Sequence, residues 1–198
     1  MKTMKTDIIL AGVGGQGILS IAAILGAAAL GENLYLKQAE THGMSQRGGQ
    51  VVSHLRIAGS PIYSDLIPTG SADIILSVEP LESLRYLPYL KKNGNLVTNT
   101  TEFMNLEYYP KLENTFKELR SKINIVQIDA DKIAHEIGNP KASNMVMLGA
   151  ASPFVQIGEE TILKAIETIF ASKGIRIVES NQLAFARGRK FAENADLK

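Results

Sequence analysis

No cysteine occurs among the 198 residues. The chain can form no disulfide, which agrees with a reducing compartment. It also has no thiolate of its own from which an iron–sulfur cluster could hang. An excess of charge of either sign is missing as well. Lysine and arginine total 21 against 20 acidic residues, a net charge of +1, so there is no broad attraction to nucleic acid or to an anionic membrane. Long apolar runs are lacking too. The longest, from Ile18 to Leu30 and broken by Ser20 and Gly26, falls short of the roughly 20 residues a membrane span needs. Its length suits a signal-peptide core, but Asp7 and the glycines before it do not resemble a signal's basic leader. A buried helix in a cytoplasmic protein is the expectation. The 3 histidines, His42, His54 and His135, show no metal-ligand spacing.

What remains is an ordinary globular composition, 45% hydrophobic and 21% charged. No linker, repeat or low-complexity stretch divides the chain, so residues 1–198 are read as one domain. Asp7 to Ala11 reads as a short buried strand and Gln16 to Leu30 as a helix apolar around most of its circumference. Asn33 to Ala39 suggests a second strand, Thr41 to Gly49 an ordered loop, and Val51 to Ile57 another strand. Ser60-Pro61 marks a break after which Ile62 to Leu66 would pair back as a hairpin. Ala72 to Val78 is a further buried strand, followed by a short helix carrying Leu81, Leu84, Leu87 and Leu90, and by a strand from Asn95 to Asn99. A helix over Leu112 to Lys122 leads to the strand Asn124 to Asp129. Helices are expected near Asp131 to Ile137, Ala142 to Ala151 and Glu159 to Phe170, with a last one from Asn181 toward Asn194. Strands alternating with helices argue for a three-layer α/β/α fold with a largely parallel, Rossmann-like sheet.

Strand, then Gly12-Val13-Gly14-Gly15-Gln16-Gly17, then helix is an order that lets backbone N–H groups face an anion at a helix N-terminus. No Gly-Lys-Ser/Thr follows, which excludes a nucleoside-triphosphatase loop. A dinucleotide site would want an acid near the end of the second strand, where Lys37 and Gln38 stand with Glu40 just beyond. The turn therefore either holds an anionic group or only packs its helix against its strand.

The loop Ser45-Gln46-Arg47-Gly48-Gly49, followed by Val51-Val52-Ser53-His54-Leu55-Arg56, is the more specific feature. Together with the first glycine motif it resembles the gamma-type domain of pyruvate and other 2-oxoacid ferredoxin oxidoreductases. Glu40 through Gly49, Glu79 through Leu87 and Asn144 through Gly149 look like the beta subunit of the indolepyruvate branch of that family. The resemblance covers nearly the whole chain. It implies that fold, with a β-hairpin added to the sheet, and it implies oxidative decarboxylation of a 2-oxoacid to an acyl-CoA with reduction of ferredoxin. It also implies a large alpha subunit carrying thiamine diphosphate, magnesium and iron–sulfur clusters. The Gly-Asp-Gly motif of thiamine-diphosphate sites does not occur here, and neither does cysteine. On this reading no cofactor is held tightly by this chain, and an isolated copy is free to self-associate as a homodimer.

Candidate binding residues are Gly12, Gly14, Gly15, Gln16, Gly17, Ser45, Gln46, Arg47, Gly48, Gly49 and Asn144, with CoA phosphates as the candidate ligand. Arg47, a guanidinium among glycines, could fork onto a carboxylate or phosphate, or could bond loop carbonyls instead. His42 could transfer protons or hold backbone groups as a loop residue. His54 and Arg56 share one face of a strand, where solvent exposure or a subunit contact would account for them. Asn144 could tie its helix to the glycine loops, contact a ligand, or with Ser143 cap the helix. Met145 and Met147 read as core fillers, and His135 as a surface residue. Competing readings are a free-standing NAD(P)-dependent reductase, which requires a ribose-binding acid, and a non-catalytic assembly module.

Overall fold

The first strand, β1 (Lys5–Val13), is buried from Thr6 onward, as a run of apolar residues with neighbours on both sides requires. It was obtained, with the rest of the fold, as a computed structural model describing residues 4–43, 48–103 and 109–195. Helix α1 (Ile18–Gly31) leads to β2 (Tyr35–His42), and β3 (Gln50–Ala58) returns. Strand β4 (Ala72–Ser77), helix α2 (Pro80–Arg85) and strand β5 (Leu90–Asn99) follow. Then come α3 (Glu113–Arg120), β6 (Asn124–Ile128), α4 (Ala130–Glu136), α5 (Ser143–Ala151), α6 (Glu159–Phe170) and α7 (Ile175–Glu193).

The 6 strands form one sheet in the order β2-β3-β1-β4-β5-β6. Strands β1, β4, β5 and β6 are mutually parallel neighbours, whereas β3 runs antiparallel to both β1 and β2. The hairpin is therefore β2–β3, closed across the second glycine loop. The expected pairing of Ile62 to Leu66 onto Val51 to Ile57 does not occur, because both edges of β3 are already taken. Thr41 and His42 belong to β2 rather than to a loop. Strand β5 begins at Leu90, and α7 begins at Ile175, ahead of the expected starts.

Alternate residues of β1 enter two cores. Ile8 and Leu10 pack with α1 and the helices α5, α6 and α7, while Ile9 and Ala11 pack on the opposite face with Leu112 and Phe116 around α3. Helices α5 and α7 meet at backbone distance, since a Cβ on Gly149 would lie 1.9 Å from the Phe185 carbonyl oxygen. The same would hold for Gly188 against the Val146 carbonyl oxygen, also at 1.9 Å. On the outer part of the second face no helix among the described residues covers β3, and the segment 59–71 does so instead. Arg56 donates to the carbonyls of Ser64 and Leu66, and the His54 ring nitrogen Nδ1 accepts from the Ile67 amide. His54 is accordingly buried, and Arg56 forks onto the fully buried Asp7 carboxylate. The expected exposure of this pair is corrected: they hold down a loop of their own chain. No helix among the described residues is long and apolar enough to cross a membrane.

Candidate functional site

Strand β1 ends at Val13, and the chain turns through Gly14 to Gly17 before α1 begins. The turn is braced from within. The Gly14 amide donates to the Gly49 carbonyl at 2.9 Å, which joins the two glycine motifs directly. The Gln16 side chain folds back to accept from the Val13 amide at 2.8 Å. Gly15 at φ 99° and Gly17 at φ 81° occupy the left-handed region that favours glycine. Gly17 caps α1, and its carbonyl also accepts from the Asn144 amide nitrogen at 3.3 Å. Asn144 thus ties α5 to the turn, the first of the roles open to it, and neither it nor Ser143 caps α5, whose N-cap is Ala142.

Two glycines are there for packing. A Cβ on Gly17 would come 2.4 Å from Asn144 Nδ2, and one on Gly12 would come 2.4 Å from a Val78 methyl. Gly14 differs. Its φ is ordinary and a Cβ would meet the Gly49 oxygen at 3.6 Å, the Gly48 nitrogen at 3.9 Å and a Val51 methyl at 4.0 Å, all normal contacts. The space above Gly15 is open, and the Ile18 and Leu19 amides, first in α1, have no carbonyl four residues back within the helix. An anion seated there meets N–H donors and the positive end of the helix dipole.

This turn lies where the chain's path reverses. From β1 the chain crosses through α1 to β2 on one side, while β4 lies on the other side. Ligands in open α/β sheets bind in the crevice beyond such strand ends. Here the crevice continues into a cavity of about 210 Å³ lined by Val13, Gly48, Gln50, Glu79, Glu82 and Arg85. Glu79 follows β4 and caps α2, accepting from the Glu82 amide at 2.8 Å. Its other oxygen accepts from the Phe103 amide and the Tyr109 hydroxyl, so this buried carboxylate is held by three donors. Burial, then the Glu79 carboxylate, pushes the Tyr109 phenol well above the ordinary tyrosine range, so it stays a donor. Burial likewise raises Glu82, opposed by Arg85, whose Nε donates to Glu82 at 3.0 Å.

The structure thus brings together Gly12, Gly14, Gly15, Gln16, Gly17, Gly48, Gly49 and Asn144. Ser45, Gln46 and Arg47 lie outside the described residues. His42 stands at the end of β2 against the Glu40 carboxylate rather than in a loop holding backbone. His135 is exposed on α4, and Met145 and Met147 are buried. Glu79, Glu82, Arg85 and Tyr109 were not anticipated as site residues. Glu79-Pro80 directly after a buried strand is the signal that could have found them, since an acidic cap with proline at the first helical position fixes a helix start. A larger cavity, of about 620 Å³, lies over α3 near Lys117 and Arg120 and touches none of the glycine-turn residues. Among the described residues no group of three or more His, Asp or Glu could hold a metal ion.

The insertion of β3 also bears on the nicotinamide reading. It places β2 two strands from the turn, and Glu40 is engaged by His42 and Gln38. A ribose-binding acid on the strand next to β1 is therefore missing from the place the fingerprint needs.

The family model for pyruvate ferredoxin/flavodoxin oxidoreductase matches residues 7–191. The chain belongs to that family. Within it, the chain stands as a small subunit of the indolepyruvate and 2-oxoacid ferredoxin oxidoreductases, an α/β domain of an oxidoreductase complex. It is 40% identical to the indolepyruvate oxidoreductase subunit IorB of Thermococcus kodakarensis, over 94% of this chain and 96% of that one. It is 31% identical to the 2-oxoglutarate synthase subunit KorC of Methanocaldococcus jannaschii, over 96% and 95% of the two chains. Among solved structures, the gamma subunit of a keto/oxoacid ferredoxin oxidoreductase from Geobacter sulfurreducens matches with a TM-score of 0.68 at 23% identity, over 96% of this chain and 99% of that one. The 2-oxoglutarate:ferredoxin oxidoreductase of Magnetococcus marinus, solved with 2-oxoglutarate, coenzyme A and succinyl-CoA bound, matches with a TM-score of 0.81 at 22% identity. All of this chain is covered there but only 32% of that one. At such identities these two structures establish the shared fold alone.

Proposed function

We infer that the chain is the small subunit of an indolepyruvate:ferredoxin oxidoreductase, one gamma-type domain spanning 1–198. The complex oxidatively decarboxylates an aryl-pyruvate to an acyl-CoA and passes the electrons to ferredoxin. The observation that carries this reading is a full-length match to an indolepyruvate oxidoreductase subunit in a chain without cysteine. Residues here fit neither an iron–sulfur cluster nor a metal-bound diphosphate, so that chemistry belongs to a larger alpha subunit. A reducing compartment, the cytoplasm, suits both chain and acceptor.

This chain's own contribution is binding and placement. The open side of the turn at Gly15, with the Ile18 and Leu19 amides of α1, receives a phosphate of CoA. Asn144 and Gln16 hold the turn rigid, so the donors are in place before the ligand arrives. Ser45, Gln46 and Arg47 directly precede Gly48 and Gly49 in sequence, and a guanidinium such as that of Arg47 is the kind of cation that suits a phosphate or carboxylate.

Gly14→Ala is the discriminating variant, because the fold accommodates the added methyl at ordinary contact with Gly48, Gly49 and Val51, while a ligand lying close to the junction of the two glycine motifs does not. In the assembled complex it should raise the KM for CoA about tenfold, the cost of one misplaced contact near 1.4 kcal/mol, with assembly unchanged. Equal CoA affinity in both complexes would remove the turn from the binding site.

A further inference from the structure

Glu40 and His42 are two apart on β2 and share the face toward α1. The imidazole Nε2 lies against Glu40 Oε1. The second oxygen of that carboxylate accepts from Gln38 Nε2 at 3.5 Å, and the same amide donates to Ser53 Oγ at 3.2 Å. Ser53 is fully buried. A buried serine on β3 therefore anchors an amide, the amide steadies a carboxylate, and the carboxylate holds a histidine. The Glu40 side chain is 18% exposed and that of His42 56%. One end of the row is fixed in the sheet and the other presents a ring nitrogen, Nδ1, to the outside.

Register sets where that nitrogen stands. His42 is opposite Val51, and Val51 is opposite Gly12, so histidine and glycine turn lie on one line across the sheet. Two strand spacings separate them, about 10 Å. An anion at the turn and a reactive group near His42 can thus belong to one extended molecule. The electrostatic surroundings are simple. Helix α1, over this face, has no ionisable side chain from Ile18 to Gly31, and β3 offers Gln50, Val51 and Ser53 nearby. Among the described residues the charge set against His42 is that of Glu40.

We propose that His42 is the proton acceptor for the CoA thiol and that Glu40 is its positioning residue. The proposal rests on the reading that CoA lies across this crevice. In the step, the S–H bond breaks, the proton passes to His42 Nδ1, and the electron pair remains on sulfur as the thiolate. Nε2–H keeps its bond to Glu40, whose charge stabilises the imidazolium formed. The proton then leaves to water from the exposed ring.

The test uses the assembled complex with saturating 2-oxoacid and CoA, and follows turnover against pH for wild type, His42→Gln and Glu40→Gln. Glu40→Gln should cut the neutral rate several-fold. His42→Gln should cut it by about a hundredfold, with recovery as rising pH ionises the thiol unaided, a recovery that loss of a purely structural contact would not give. A wild-type rate in His42→Gln, or a loss equal at every pH, overturns the proposal. Wild-type complex without CoA-dependent turnover would overturn the functional reading beneath it, and the two failures are thereby told apart.

Discussion

Replacing Gly188 by alanine sets two effects against each other. Gly188 sits inside α7, where alanine favours the helix by about 1 kcal/mol over glycine. Its added Cβ, however, would lie 1.9 Å from the Val146 carbonyl oxygen, more than an ångström closer than such atoms come. The obstacle is backbone of α5, with Phe185 and Met145 packed around it and fully buried, so no side chain can swing aside. Overpacking a core costs roughly 1–3 kcal/mol and more where backbone must shift, and we take about 4 here. The net expectation is a loss of about 3 kcal/mol, or a fall in Tm of roughly 6–12 °C for a chain of this size. Urea denaturation and thermal melting measure it. Gly149→Ala should behave alike, and the double variant should lose less than the sum, because one separation of α5 from α7 relieves both clashes. A Tm that holds or rises would mean that propensity governs and that the two helices are not in backbone contact.

Arg56→Ala strands the buried Asp7 carboxylate with only the half-exposed Lys5. Chemical denaturation should show a loss of about 3 kcal/mol, and a double Asp7→Asn, Arg56→Met variant should recover part of it. His54 gives a pH signature. Burial, then Arg56, lowers its folded value below the ordinary 6.5, so its contribution is present above that value and lost as pH falls through and below it. Unfolding free energy should therefore decline below pH 6.5 more steeply in wild type than in His54→Gln; equal slopes would remove the His54–Ile67 latch. Tyr109→Phe deletes one of three donors to Glu79, and should cost about 1.5–3 kcal/mol as a bond to a charged group, read by the same denaturation assay.

Several elements were legible in sequence for local reasons. The apolar face of Ile162, Leu163, Ile166, Ile169 and Phe170 marks α6 from Glu159 to Phe170, and Ile8 to Ala11 marks β1 as a buried apolar run. The hairpin was not legible, because the Ser60-Pro61 break resembles a turn while the connection used spans Gly43 to Gly49. Which strand neighbours β1 is a matter of long-range pairing that no local pattern encodes. The early turns of α7 carry Ile175 and Ile177, β-branched residues that read weakly as helix until Val178 finds its place in the core. At the site, both glycine motifs were visible, but the bond joining Gly14 to Gly49 was not. The His42–Glu40 pair was hidden by ending β2 too soon. Glu79 escaped notice because its donors, Phe103 and Tyr109, lie far along the chain.

The proposed role, a braced glycine turn supplied to a partner's chemistry, makes one demand above all, which is that both subunits are needed. The direct measurement is reconstitution, in which this chain and the larger subunit are purified apart and assayed for indolepyruvate- and CoA-dependent reduction of ferredoxin. The account predicts negligible rate from either alone and full rate on mixing, saturating at a fixed ratio. Full activity in the larger subunit alone, or turnover by this chain alone, would contradict it.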